Sequence, residues 1–320
     1  MKKALCILLA CLFILTSGCA FSAPKPSATP APASEPTRGA VERISFTDAV
    51  GHDVEVSETD RVVAASGSFA QLWLLSGGTL IGTTEDALSY GLELPADIAS
   101  VGSLHGISLE SLIALEPQLV ILSADISAHT AMYEQLTDAG IPVAYFSVEV
   151  FEDYLAALKI FTDINGRPDL YEENGLRLQS EINDIIARAQ GKPSPSVLLL
   201  RAGAGKVVAR NSDTMAGAML RDMGCVNIAD RDNGLLDNLS MEVILQEDPD
   251  YIFVVTMGES EEKAQQALEE TLLSNPAWAG LTAVKNGHYI SLPKALFHLK
   301  PNNRWNEAYG LLWDTLYAGS

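Results

Sequence analysis

Beyond its first twenty residues this chain has almost no cysteine, little histidine and no long apolar run, and each shortage excludes something. Of the four cysteines, Cys6, Cys11 and Cys19 all precede residue 20, so Cys225 stands alone in the remainder. A lone thiol forms no disulfide within the body and no cysteine-based metal site. The five histidines (52, 105, 129, 288 and 298) are scattered, without the convergent ligands that a bare zinc or manganese ion requires. Positive charge is also short: 21 Lys and Arg stand against 41 Asp and Glu, a net charge of −20 over 320 residues. That surface repels a phosphate backbone and argues against nucleic acid as a partner. Catalytic signatures are missing too. No G-x-S-x-G surrounds Ser66 or Ser68, and GAGK at 203–206 lacks the spacing of a phosphate loop. An enzyme is not expected.

What is present begins with MKKALCILLACLFILTSGC, residues 1–19. Two lysines, an apolar run too short to span a bilayer, and small residues leading into a cysteine describe a secretory signal. The TSGC ending resembles the lipobox of bacterial lipoproteins, which implies lipidation at Cys19 and an extracytoplasmic, membrane-anchored location. Residues 20–40 are rich in Pro, Ala, Ser and Thr, with no apolar periodicity. Such a composition buries no core and serves as an extended tether.

The body alternates short apolar strands with amphipathic helices. ISFTDAVGHDVEV (44–56) reads as a β-hairpin. RVVAAS (61–66), LIGTT (80–84), QLVILS (118–123) and VAYFS (143–147) read as buried strands, with helices over 68–78, 108–117 and 128–140 between them. The pattern restarts with SVLLLR (196–201), KVVAR (206–210), a helix over 214–224 and the strand YIFVVT (251–256). SLESLIALEPQLVIL (108–122) aligns without a gap on SMEVILQEDPDYIFV (240–254), offset by 132 positions and sharing Ser, Glu and Pro. Ser108 and Ser240 are good N-caps, Glu110 and Glu242 sit where a helix dipole favours an anion, and Pro117 and Pro249 stop each helix. Between the halves, residues 168–190 are long enough for a helix that crosses from one domain to the other. The expected fold is therefore α/β: two Rossmann-like lobes, at 41–150 and 193–320, joined through a helical linker at 151–192, with a cleft between them.

The hairpin, the single linking helix and the paired S-[LM]-E…P units together resemble the iron-complex and cobalamin substrate-binding proteins of ABC importers. The resemblance covers residues 44–318. It implies a monomer that binds and releases a metal chelate without a cofactor of its own, with an ABC permease and its ATPase as partners. It also implies that Glu110 and Glu242, one per lobe, dock onto basic residues of the permease.

Ligands of open α/β sheets bind beyond the C-terminal ends of the strands. The loops expected to wall the cleft are 66–69, 84–90, 103–107, 203–213, 257–260 and 294–305, which include Tyr90 and Arg210. From Thr271 to Asn306 there is no Asp or Glu, and this stretch carries Lys294, His298, Lys300, Arg304 and Trp305. A basic and aromatic patch on an acidic protein suits carboxylates, phosphates or catecholates. His105 and Met257 lie in facing loops and resemble, in exchanged order, the axial pair of Gram-positive haem receptors of this family; both are metal ligands only if the cargo is haem. Haem is placed first and a ferric siderophore next. A corrinoid, or less readily a bare transition-metal ion, is the alternative.

Overall fold

A computed structural model describes residues 43–318 apart from 232, 233 and 259. The signal, Cys19 and the tether at 20–40 lie outside the described residues. Strands β1 (Ile44–Thr47) and β2 (Asp53–Val56) form the expected antiparallel hairpin. Its turn is fixed by Asp48, whose fully buried carboxylate accepts the N–H groups of Val50 and His52 at 3.0 and 2.8 Å. The same carboxylate takes the Tyr145 N–H at 3.1 Å, which pins the hairpin to the first lobe.

That lobe contains β3 (Val62–Ala64), α1 (Gly67–Leu75), β4 (Gly82–Thr83), β5 (Ala99–Ser100), β6 (Gly102–Ser103) and β7 (Gly106–Ile107). It continues through α2 (Leu109–Ala114), β8 (Leu119–Ser123), α3 (Ser127–Thr130), α4 (Tyr133–Asp138) and β9 (Val143–Phe146). The sheet is wholly parallel in the order β5-β4-β3-β8-β9. Every residue of β8 is buried, as a strand covered on both faces requires. The single helix expected over 128–140 is split into α3 and α4. Tyr145 donates its hydroxyl to the His129 carbonyl at 3.1 Å, the acceptor that a continuous helix would offer to the Tyr133 N–H.

The crossing segment comprises α5 (Phe151–Ile164), α6 (Pro168–Tyr171), one π-helical turn at Glu172–Leu176, and α7 (Arg177–Ala189). The expected helix over 168–190 is present, with that turn inside it. The second lobe holds β10 (Ser196–Gly203), β11 (Lys206–Arg210), α8 (Met215–Asp222), β12 (Val226–Asn227), α9 (Gly234–Asp237), α10 (Met241–Glu247) and β13 (Tyr251–Thr256). It ends with α11 (Glu261–Leu268), α12 (Thr282–Lys285), β14 (Tyr289–Leu292), α13 (Lys294–Phe297) and α14 (Trp305–Tyr317). Its sheet runs β11-β10-β13-β14, with β11 antiparallel and β12 beside the start of β10.

One apolar cluster crosses the molecule. It joins Ile121 and Phe146 of the first sheet to Trp73 and Phe161, passes through Leu178 and Ile182 of α7, and reaches Leu199 and Phe253 of the second sheet. Lobes that share a close-packed core move by small displacements.

The repeat is structural in detail. Ser108 Oγ accepts the Ser111 N–H at 3.1 Å, and Ser240 Oγ accepts the Val243 N–H at 3.4 Å. Each helix then ends in a left-handed residue directly before the proline: Glu116 at φ 44° and Asp248 at φ 41°. Proline disfavours the right-handed helical conformation in the residue before it, and hydrogen bonds from distant segments hold each left-handed residue in place. Asp248 accepts the N–H and hydroxyl of Thr282, each at 2.7 Å, while Arg61 Nε donates to the Glu116 carbonyl at 3.1 Å.

Candidate functional site

The β10–β11 hairpin builds one wall of the cleft. In its register Arg201 faces Val208 and Leu199 faces Arg210, so the two arginines are diagonal neighbours on one face. They line a cavity of about 230 Å³ together with Glu149, Thr214, His298 and Lys300, over a floor that includes Leu199, Met215 and Phe297. A second cavity of about 460 Å³ shares both arginines and extends to Met257, Gly203 and Lys206. A Cβ at Gly203 would lie 2.9 Å from Met257 Cγ, so the thioether side chain rests on bare backbone there.

The opposite wall comes from the first lobe. Tyr90 closes a 3₁₀ turn at Glu85–Tyr90. It packs so tightly on α1 that a Cβ at Gly67 would lie 2.6 Å from its ring. Burial pushes the Tyr90 phenol up to about 12, opposed by hydrogen bonds with the Lys300 backbone and the Ser68 hydroxyl. The segment between α13 and α14 crosses the cleft mouth. Lys300 Nζ donates to Glu149 Oε1 at 2.9 Å, and Asn302 donates to the Ser68 carbonyl at 3.1 Å and Gln71 Oε1 at 2.7 Å.

Positive charge dominates this enclosure. Burial holds the Arg201 guanidinium below its usual range and neighbouring Arg210 acts the same way, while Glu149 opposes them. The Nε atoms of both arginines are buried without a hydrogen-bond partner. Among the described residues neither arginine has an ion-pair partner within 4.0 Å. Burial depresses His298 to about 4, helped by Lys294, Arg201 and Lys300, so the imidazole is neutral at physiological pH. Together these groups can bind an anion bearing several oxygens. Arginine suits that task because its planar fork matches a carboxylate or catecholate edge.

Of the residues singled out in the sequence, Arg210, His298 and Lys300 line the first cavity, Met257 lines the second, and Tyr90 abuts Lys300. Arg304 and Trp305 do not join them. Arg304 forks onto Glu307 at 3.0 and 2.7 Å on the surface. Trp305 opens α14, is only 1% exposed, and packs against the rings of Phe151 and Tyr154. Helix α14 turns it into the shared core rather than toward a ligand. His105 is exposed in the turn of a two-stranded hairpin, β6–β7, where a plain loop was expected, and it lines neither cavity. Gly102, at φ 104°, permits that hairpin, because a Cβ there would lie 2.5 Å from the Gly106 carbonyl oxygen. Arg201 and Glu149 had not been singled out. A charge closing the apolar run SVLLLR was a usable signal for Arg201; nothing local marks Glu149. Lys294 Nζ reaches the Gly258 carbonyl at 2.5 Å, joining α13 to the loop that holds Met257.

The repeat places Glu110 and Glu242 in the first turns of α2 and α10, both exposed. Among the described residues neither has an ion-pair partner within 4.0 Å.

Comparison with known proteins agrees with this architecture. The Fe(3+)-citrate-binding protein YfmC of Bacillus subtilis (strain 168) is 25% identical over 291 residues, covering 88% of this chain and 85% of YfmC. An ABC transporter substrate-binding protein from Listeria monocytogenes EGD-e superposes with a TM-score of 0.66 at 19% identity, over 82% of this chain and 100% of the other. IsdE of S. aureus, solved with heme, superposes with a TM-score of 0.66 at 18% identity, over 80% and 98%. Residues 62–296, well over half of the chain, match the periplasmic binding protein family as a whole. The chain belongs to that family, the substrate-binding proteins of ABC importers.

Proposed function

We propose that this protein captures an anionic ferric chelate, of the carboxylate or catecholate class, between its lobes and delivers it to an ABC permease. The observation that carries this reading is the Arg201–Arg210 pair, two half-buried guanidinium groups on one cavity face with no ion-pair partner within 4.0 Å among the described residues. A ferric chelate of this class presents several anionic oxygens around one centre and satisfies both forks at once. The ferric-citrate specificity in the name of YfmC supports the same class. The order of ligands expected from the sequence is thereby reversed, with the ferric chelate ahead of haem. Haem remains the second reading, favoured by Met257 in the cavity that shares the arginines and by the likeness to IsdE. In that reading the arginines would hold the propionates and His105 would have to turn inward from its exposed hairpin.

In this reading the protein works as a monomer, anchored through a lipid on Cys19. Glu110 and Glu242 present one carboxylate per lobe to basic residues of the permease. Binding and release are the whole of the mechanism, with no covalent change to the cargo. The test is a pair of titrations on residues 41–320, which form one compact unit. Saturable quenching of tryptophan fluorescence by ferric citrate, with haemin producing no sharpened Soret band, is expected. A Soret band altered by His105→Ala or Met257→Ala would transfer the assignment to haem.

A further inference from the structure

We infer that Glu149 sets the charge of the chelate that this cleft accepts, an inference that rests on the ferric-chelate reading. The first cavity is lined by three side chains that carry permanent positive charge, Arg201, Arg210 and Lys300, and by one acid, Glu149. Among the described residues the second cavity is lined by no acid. Among the described residues Glu149 is therefore the one acid that lines either cavity.

Its position is built rather than incidental. The Glu149 and Val150 N–H groups both donate to the Asp153 carboxylate, at 2.9 and 3.0 Å, so the backbone beneath Glu149 is held at the start of α5. From this anchor in the first lobe the carboxylate reaches across the mouth to Lys300, 151 residues away in the chain. The pair is partly solvated, with Lys300 24% and Glu149 47% exposed, so an incoming anion can compete for the ammonium. Glu149 also faces Arg201 and opposes the repulsion from Arg210. It thus occupies, with its own oxygens, part of the place that a cargo oxygen would take.

The consequence is a rule of charge. With His298 neutral, the three cations less Glu149 leave a net charge of +2 on the first cavity. A chelate carrying about two negative charges is matched. A more highly charged one meets Glu149 as a like charge in a partly desolvated space, and a neutral one leaves two guanidinium groups without an anion. Glu149 selects by repulsion as well as by holding Lys300, the usual way in which binding sites exclude near relatives of their ligand.

The experiment compares wild type, Glu149→Gln and Glu149→Asp with three probes: ferric citrate, a ferric tris-catecholate of charge −3, and an uncharged ferric trihydroxamate. Glu149→Gln keeps the shape and removes the charge, and should tighten the tris-catecholate about fivefold to twentyfold relative to the trihydroxamate. The gap should narrow in concentrated salt. Glu149→Asp keeps the charge and should keep the wild-type ranking, which separates charge from a general disturbance of the fold. An equal shift for all three probes in Glu149→Gln, or no shift, would overturn the charge-setting role while leaving the ferric-chelate reading intact. Failure of wild type to bind either anionic probe would overturn that reading and this inference with it.

Discussion

Replacing Arg210 with Met should weaken cargo binding and, at the same time, make the ligand-free protein more stable. Arg201 and Arg210 are diagonal neighbours across an antiparallel pair, so their side chains leave the sheet about 7–8 Å apart on one face, and that spacing sets the scale of their repulsion. Two positive charges at that distance repel by about 2 kcal/mol at an effective dielectric constant of 20 and by about 0.6 kcal/mol in water. Both side chains are half-buried, so a repulsion of about 1 kcal/mol applies. Arg210→Met also removes a buried Nε that has no hydrogen-bond partner, while Met keeps the apolar bulk of the stem. A gain of about 1 kcal/mol corresponds to a rise in Tm of about 2–4 °C for a protein of this size. Binding moves the other way. Loss of a charge-assisted hydrogen-bond donor costs about 1.5–3 kcal/mol, or about tenfold to a hundredfold in Kd for ferric citrate. Thermal melting without ligand, at low and high salt, and a fluorescence titration measure the two halves. The stabilisation should shrink at high salt. A variant that melts several degrees lower and binds ferric citrate as wild type does would refute the reasoning, because Arg210 would then be a structural residue.

Charge reversal of both Glu110 and Glu242 to Arg should abolish uptake of the iron chelate by cells while leaving Kd unchanged, because both residues stand at exposed helix starts and line neither of the two cavities. Unchanged uptake in that double variant would remove the docking role. Stability should also depend on pH through His298 and His129. Burial is the main cause that holds both below the ordinary histidine value, so the folded protein favours their neutral forms. His129 Nδ1 accepts the Ser123 N–H at 3.0 Å, and its Nε2 lies 2.7 Å from the Leu104 carbonyl, to which it donates. The stabilisation is fully present above about pH 6.5 and is lost as pH falls through the window down to about 4 for His298. Urea denaturation at steps from pH 7.5 to 4.5 should show the decline, and His298→Asn should flatten it.

Much of the architecture was legible because local rules and the tertiary fold agree. The 132-residue repeat carries its caps, its first-turn glutamates and its stopping prolines in short windows of sequence, and each behaves in the structure as local chemistry requires. Buried strands such as QLVIL announce themselves because a sheet covered on both faces needs continuous apolar residues. The division of 128–140 into two helices was not legible, since it depends on a hydroxyl donated by Tyr145 from a neighbouring strand. The left-handed residues before Pro117 and Pro249 escaped notice for a similar reason. Each rests on a partner far along the chain, Arg61 or Thr282.

The candidate site divides along the same line. By itself the sequence picked out an acid-free basic segment, and three of the residues it singled out, Lys300, His298 and Arg210, line one cavity in the structure. Only the tertiary structure decided that Trp305 packs into the shared core and that Arg304 pairs with Glu307 on the surface, because a helix's rotation about its axis is set by what it packs against. Only it brought Glu149 to Lys300 and set Arg201 beside Arg210 on one sheet face. Periodicity within one segment reports which face is apolar; the meeting of charges from distant segments is a property of the assembled core, and no short window of sequence contains it.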